Sequence, residues 1–441
     1  MANTKLGLPQ ITITFASQAS TSIARSARGI GSLIFNDSNV TDDDGVKYCL
    51  VEDSTDIPSG IDDGNADLIQ KALLGTPNKL HCYFIPPATH EEEQEQERVV
   101  ENQVESDVVV TNSDTGETET VTSTVTVTDT VTETVTVTVD ATVTQADALR
   151  KCADVRFNYI AHPTGTTQDQ QNLATWLQTQ RGKRDKTVKA VVPHYDGDSF
   201  GIINFTTDKI RINNPAYRDA LALVDGDATA VDPTIPQYIT YNASQYTARI
   251  VGILAGLGLD RSATYYTLSE VVDVAEYDDI DEHINKGELC LFDEKDGNGV
   301  KIARGCNSLH TFTSAIGYDF RFIKVVETVD LIKDDIRDTF RTQYVGKVAN
   351  NYDNKMLFVA AINSYLLSLQ GNVLDRTSTD TNYVEIDYDK NYEYAKQKGA
   401  DVANMSEQAI LEYQTGTNVF LRGKIRPVNA MEDLTLAFVL N

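Results

Sequence analysis

Residues 145 to 193 read "QADALRKCADVRFNYIAHPTGTTQDQQNLATWLQTQRGKRDKTVKAVVP", and their periodicity changes three times. "QADALRKCADVRFNYIAHP" is a helix followed by a strand, "DQQNLATWLQTQRG" a second helix and "KTVKAVVP" a second strand. The strands are apolar on both faces, as strands are when helices cover a sheet on two sides. Upstream, "RGIGSLIFND" is an apolar run ending in turn residues, which predicts a buried strand. "NADLIQKALLG" puts Leu68, Ile69, Ala72 and Leu73 at helical spacing, with Gly75 as the expected C-cap. "KLHCYFIPP", residues 79 to 87, is another buried strand, stopped by Pro86 and Pro87. Strands alternating with helices predict a parallel α/β sheet.

Residues 90 to 147 interrupt this pattern. They open with the acidic "HEEEQEQERVVENQVE" and run on as "TETVTSTVTVTDTVTETVTVTVDATVTQ", where every Val from Val121 to Val143 is at an odd position. Strand periodicity sustained that far exceeds the usual strand length, so bends are expected near Asp129 and Asp140, with "NSDTGE" as a hairpin turn. The segment reads as a β-rich decoration standing off the α/β body. Because a Thr/Val tract buries little, disorder is the competing reading.

Past the α/β body, "SQYTARIVGILAGL" gathers Tyr246, Ile250, Ile253, Leu254 and Leu257 on one helical face, ended by Gly256 and Gly258. "LCLFDEKDGNGVKIARG" is two strands around a Gly-Asn-Gly turn. Two long helices follow, in "VDLIKDDIRDTFRTQYVG" and "NKMLFVAAINSYLLSLQG", with "NNYDN" breaking and re-capping the chain between them.

The two ends pose a different question. Near the start, Ile11, Ile13 and Phe15 alternate with Thr12 and Thr14, while Leu434, Leu436, Phe438 and Leu440 alternate at the close. Each is an amphipathic strand with no hairpin partner beside it, and an unpaired strand is an aggregation hazard. Two answers are available: the ends pair with each other, which periodicity alone favours, or each pairs with another molecule.

Bulk properties exclude several classes. The chain has 441 residues, room for two or three domains, and carries 38 basic against 65 acidic side chains, a net charge of −27. That balance argues against a nucleic-acid partner. The longest apolar run, "IVGILAGLGL", is far too short to span a bilayer, so no membrane partner is expected. The five cysteines are scattered and odd in number, which predicts reduced thiols and synthesis in a cytoplasm; the start "MANTKLGLPQ" lacks the blocks of a signal peptide.

Catalytic patterns are weak. "DEKDGNG" resembles a calcium loop, but Lys295 and Gly297 stand where oxygen ligands are needed, and a hairpin turn explains it better. "HYDGD" offers His194, Asp196 and Asp198 after a strand end, and a polar loop is the expected reading. "RGIG" and "AGLGLD" are incomplete glycine motifs, and no H-E-x-x-H or phosphate-loop pattern occurs. No catalytic residue, cofactor or metal ligand is therefore assigned. An α/β hydrolase-like or nucleotide-binding enzyme with an unrecognised site is the alternative, and a surface adhesin would need an export signal.

Several phrases together carry a resemblance. "GLPQITITF", "GIINFTTDKI", "ARIVGILAGLGLDRSATYY", "YVGKVANNYDNKMLFVAAINSY" and "VNAMEDL" resemble contractile tail sheath proteins of Gram-positive myophages, prophages and phage-tail-like bacteriocins. The likeness covers nearly everything outside 90 to 147, with the phrases in the family's order.

The resemblance implies a structural subunit that polymerises as hexameric rings in a helical sheath and contracts to drive a tail tube through a bacterial envelope. Its implied partners are further copies, the tail tube protein, and baseplate and tail terminator proteins. Its implied place is a virion tail or phage-tail-like particle assembled in the host cytoplasm. The implied organisation is an N-terminal strand arm at 1–22, a central subtilisin-like α/β domain at 23–89 and 148–320, and the inserted β decoration at 90–147. An α+β C-terminal domain facing the tube at 321–424 and a C-terminal strand arm at 425–441 complete it. Ile11, Ile13, Phe15, Leu434, Leu436, Phe438 and Leu440 would then seat in neighbouring subunits, and "QASTSIARSARG" would be the flexible link behind the first arm. Lys333, Arg337 and Arg341, in a stretch of alternating charge, are expected at the tube.

Overall fold

The computed structural model describes residues 22–111, 118–224, 226–376 and 381–439, with 90–111 and 118–137 as backbone alone. Strand β1 (Ile30–Asn36) is followed by an edge strand, β2 (Lys47–Val51), helix α1 (Asp63–Leu73) and β3 (Lys79–Ile85). β1 and β3 are parallel, with Leu33 opposite Cys82 and Phe35 opposite Phe84, and α1 is part of the crossover between them. β2 lies antiparallel on the outer side of β3.

The insertion is a ribbon of two antiparallel strands, β4 (Thr89–Thr111) and β5 (Thr118–Asp140), which pair only with each other. The acidic opening is thus a strand of the same length as its Thr/Val partner. The ladder is unbroken at Asp129, which sits opposite Val100. A lone ribbon accommodates length by twisting and has no second sheet to bend around. The turn expected at 112–117 lies outside the described residues. At the base the two ends meet, Ala141 N–H donating to the Ala88 carbonyl at 2.9 Å. The Asp42 carboxylate there accepts from the N–H groups of Thr142 at 2.9 Å and Val143 at 2.8 Å.

Next come α2 (Gln145–Cys152), β6 (Tyr159–Ala161), α3 (Thr167–Lys183), β7 (Lys189–Pro193) and β8 (Ile202–Phe205). α3 starts at a capping box: Thr166 Oγ1 accepts from Asp169 N–H at 3.2 Å, and the Asp169 carboxylate accepts from Thr166 N–H at 2.9 Å. β9 (Ile210–Asn213), α4 (Pro215–Leu223), β10 (Tyr238–Tyr241), α5 (Ala243–Gly256), β11 (Val271–Asp273) and α6 (Ile280–Asn285) follow, then β12 (Glu288–Leu289), β13 (Leu291–Asp293) and β14 (Val300–Ile302).

The main sheet has seven strands in the order β12-β8-β7-β6-β1-β3-β2, parallel except for β2. Both faces are covered. Leu33, Phe35, Leu80, Cys82 and Phe84 pack with Leu68, Ile69, Tyr246 and Ile250 of α1 and α5, whereas Ile30, Ile34, Tyr83 and Ile85 pack with Leu149, Leu173 and Leu177 of α2 and α3. Burial on both sides is why these strands are apolar throughout.

Two glycines have a role other than the one their positions suggest. A Cβ on Gly75 would lie 2.1 Å from the Gly252 backbone, and one on Gly256 would lie 1.7 Å from the Gly75 carbonyl oxygen. These glycines let α1 and α5 touch backbone to backbone. The left-handed residue after α1 is Thr76, with φ 56°, so Gly75 is not a left-handed cap.

The C-terminal part contains α7 (Ile323–Thr339), α8 (Tyr352–Ser368), β15 (Tyr383–Ile386), α9 (Tyr388–Gln397), α10 (Glu407–Leu411) and β16 (Leu421–Lys424). Asn351 caps α8, its Oδ1 accepting from Asn354 N–H at 2.9 Å, as "NNYDN" suggested. Leu331, Ile332, Phe358, Ile362, Tyr365 and Leu366 form a core separate from those of the main sheet, and Ile23 joins it. Among the described residues no helix is long and apolar enough to cross a membrane.

Candidate assembly interface

α7 carries Glu327, Asp330 and Asp334, three to four residues apart and so on one helical face. That face is buried against the edge of the α/β body. Lys189 of β7 reaches Glu327 at 2.7 Å and Asp330 at 3.1 Å. Arg181 of α3 grips the Asp330 carboxylate with two donors, at 2.9 and 3.0 Å. Burial pushes the Glu327 and Asp330 carboxyls up, yet Lys189, with Arg28 for Glu327 and Arg181 for Asp330, more than offsets it and holds both below their ordinary values.

The N-terminal segment is strapped to the same helix. Arg28 bridges Glu327 at 3.3 Å and Asp334 at 3.1 Å, and Ser26 N–H donates to Asp335 at 2.7 Å. Tyr365 of α8 donates its hydroxyl to the other Asp335 oxygen at 2.6 Å. With Ile23 buried beside Leu331 and Ile332, the stretch read as a flexible link is pinned from Ile23 to Arg28. Small, polar and basic residues suggested freedom. The acids that hold them lie some 300 positions away.

The three basic residues expected at the tube occupy this junction too. Lys333 pairs with Asp185, and Arg337 pairs with Asp334 while donating to the Asp185 carbonyl at 2.6 Å. Arg341 is exposed and lines a surface cavity of about 280 Å³ with Arg184, Asp185 and Lys186. Much of the alternating charge on α7 therefore bonds one part of this chain to another.

At the other end, Val428 N–H donates to the Val373 carbonyl at 2.9 Å, and the chain then crosses to the α/β body. There Glu432 accepts from Ser262 Oγ at 3.0 Å and Thr264 Oγ1 at 2.7 Å and pairs with Arg304 at 3.2 Å. Arg304 also holds Asp433 at 2.7 Å. Beyond this latch the tail is free of the body: Leu434 is 87%, Leu436 64% and Phe438 82% exposed. Residues 430–439 form no strand within this chain: a strand needs a partner ladder, and none of the described residues supplies one. Leu440, like Ile11, Ile13 and Phe15, lies outside the described residues.

The C-terminal part holds a small ladder, whose β15 edge is met by Asn363 of α8: its side chain accepts from Val384 N–H at 2.7 Å and donates to the Val384 carbonyl at 3.0 Å. β15 and β16 pair with each other from Tyr383–Lys424 to Ile386–Leu421, and neither has a second partner among the described strands.

The catalytic candidates do not converge. His194 pairs with Asp208 at 2.9 Å, and Asp198 accepts from the backbone N–H groups of His310 and Thr311, both at 2.9 Å. "DEKDGNG" is the turn between β13 and β14, where Lys301 holds Glu294 at 2.6 Å and Asp296 at 2.9 Å. No cluster of three or more His, Cys, Asp or Glu suited to a metal occurs among the described residues.

Sequence reasoning missed the buried acids of α7 and the Glu432 latch. The 327–330–334 spacing was a visible sign of one acidic face. Nothing local marked Glu432, whose hydroxyl partners Ser262 and Thr264 lie about 170 positions away.

Comparison with known proteins matches residues 317–441 to the phage tail sheath C-terminal domain. The tail sheath protein of Clostridium phage phiCD119 is 33% identical over 293 residues, 66% of this chain and 74% of that protein. The crystal structure of the sheath tail protein of Desulfitobacterium hafniense is similar with a TM-score of 0.56 at 20% identity, covering 86% of this chain and 94% of that one. The helical sheath of the anti-feeding prophage in its contracted state gives 0.60 at 12% identity, covering 99% and 100%. The mixed α/β fold is that of these sheath proteins. The chain belongs to the phage tail sheath family, structural proteins of phage tails.

Proposed function

We propose that the chain is the repeating subunit of a contractile sheath, assembled as hexameric rings in a helical polymer around a tail tube. The polymer shortens and drives the tube through a bacterial envelope. The observation that carries this reading is the tail beyond Glu432, an alternating apolar segment held in solvent, on a chain whose β15–β16 ladder has no third strand among the described residues and leaves its β16 edge without a strand partner. A two-stranded sheet is marginal by itself. A tail strand from one neighbour and the Ile11–Phe15 segment of another would complete it by strand addition. Each buried apolar side chain contributes roughly 1.5–3 kcal/mol before ordering costs.

The same reading assigns 1–22 and 425–441 as arms, 90–147 as an outward decoration and 321–424 as the tube-facing domain. With Lys333 and Arg337 tied to Asp185, Arg341 is the basic residue best placed for a tube contact. Baseplate and terminator proteins would meet the ends of the polymer, in a particle assembled in the host cytoplasm. The parallel sheet with helices on two faces supports the subtilisin-like description of the central domain. The structural role of its relatives supports a chain without catalysis.

The test is truncation at residue 433. The shortened subunit should stay folded, with an unchanged melting temperature, and form no tubes in negative-stain micrographs. Normal tubes from that protein would overturn the arm reading.

A further inference from the structure

Cys49 and Cys82 stand directly opposite each other in the antiparallel β2–β3 ladder. Both side chains join the same core cluster, beside Leu80 and Phe84, so they share one face of the sheet. Opposed Cα atoms in such a ladder are about 4.5 or 5.5 Å apart. Both spacings fall within the roughly 4.4–6.8 Å that a disulfide bridges. Cys82 is fully buried, and Cys49, on the edge strand, is half-buried. We propose that Cys49 and Cys82 form a cross-strand disulfide when the subunit meets a soluble disulfide oxidant of the glutathione class, as a particle outside a reducing cytoplasm would.

The chemistry balances without a further reactant. The Cys49 thiolate attacks one sulfur of the oxidant, forming a mixed disulfide and releasing one small thiolate, which takes up a proton. The Cys82 thiol then loses its proton and attacks the Cys49 sulfur, expelling the second small thiol. Two protein thiols are oxidised and one small disulfide is reduced to two thiols. The order follows from the environments. A hydrogen bond with Cys82 holds the Cys49 thiol below its usual range, and that same bond, with burial, pushes Cys82 well up. Burial keeps the other three inert, pushing Cys152 and Cys306 up to about 12 and Cys290 to about 11. The bridge would tie the outermost strand of the main sheet to its neighbour, closing a loop that contains α1.

The experiment treats the native full-length protein with excess oxidised glutathione, quenches with acid, unfolds, alkylates and maps peptides by mass spectrometry. The expected result is a protein lighter by two hydrogen atoms, with the Cys49 and Cys82 peptides joined and the other three cysteines alkylated. Cys49→Ser should leave Cys82 unreacted, whereas Cys82→Ala should trap glutathione on Cys49. Alkylation of all five thiols, a stable glutathione adduct on Cys49 of the unmutated chain, or a bridge between another pair would overturn the proposal.

Discussion

Thr264 and Glu432, 168 positions apart, meet through a 2.7 Å hydrogen bond that fixes where the C-terminal tail leaves the α/β body. Glu432→Ala removes the acceptor for Thr264 and Ser262 and the partner of Arg304. Proteolysis of the unassembled subunit should then cut the tail at a point before residue 433, with little change in the melting temperature of the body. An unchanged cleavage map would show that the tail is held by something else.

Lys189 is the most deeply buried cation of the α7 junction. Lys189→Met leaves Glu327 and Asp330 buried with one fewer partner, and losing one side of such a pair costs about 3–5 kcal/mol. Urea denaturation should report that loss. The acids also set a pH limit. Their folded values lie below the ordinary 4.5 and 3.8, so their stabilisation is complete above those values and fades as pH falls through the lower folded ones. The Lys189→Met chain should therefore unfold at higher pH than the unmutated chain on acid titration.

His162 titrates in the milder range. Gln145 donates its side-chain amide to Nδ1 at 2.9 Å, which leaves the proton on Nε2 and the ring neutral. Burial pulls the pKa from 6.5 to about 4. The unfolded chain binds this proton below 6.5 and the folded chain only near 4. Stability contributed here is whole above 6.5, declines with falling pH, and has lost about 3 kcal/mol once pH passes 4. His162→Gln should flatten the stability curve between those values. An equally steep decline in the variant would place the titrating group elsewhere.

The main sheet was legible because strands buried on both faces, such as "KLHCYFIPP" and "KTVKAVVP", write their burial as continuous apolar runs. β2 left no such mark: Lys47, Tyr48 and Leu50 are exposed at a sheet edge, and only Val51 is fully buried. The candidate site was legible in part. The alternation in the tail showed an amphipathic segment, but whether a strand forms depends on a partner that composition does not name. Charge misled most on α7, because a run of mixed sign reads alike on a solvated face and in a buried junction. Only the position of Lys189 and Arg181 across the fold distinguishes the two.

The ribbon offers the clearest separation of body from decoration. Its strands pair only with each other, and its base is closed by the Ala141–Ala88 hydrogen bond and by Asp42. Replacing residues 90–139 with a short Gly/Ser bridge keeps both base contacts and removes a ladder on which no other strand depends. Loop closure changes by only about 0.6 kcal/mol for each halving of loop length, in favour of the shorter loop. The shortened chain should have a melting temperature within a few degrees of the original and an unchanged circular dichroism signal from its helices. It should also form tubes, because the tail, the α7 junction and the β15–β16 edges are untouched. If the ribbon is instead part of the contact between copies, the subunit will fold and the tubes will be lost. If it is part of the core, folding itself will fail. Melting and microscopy on one variant therefore separate all three roles.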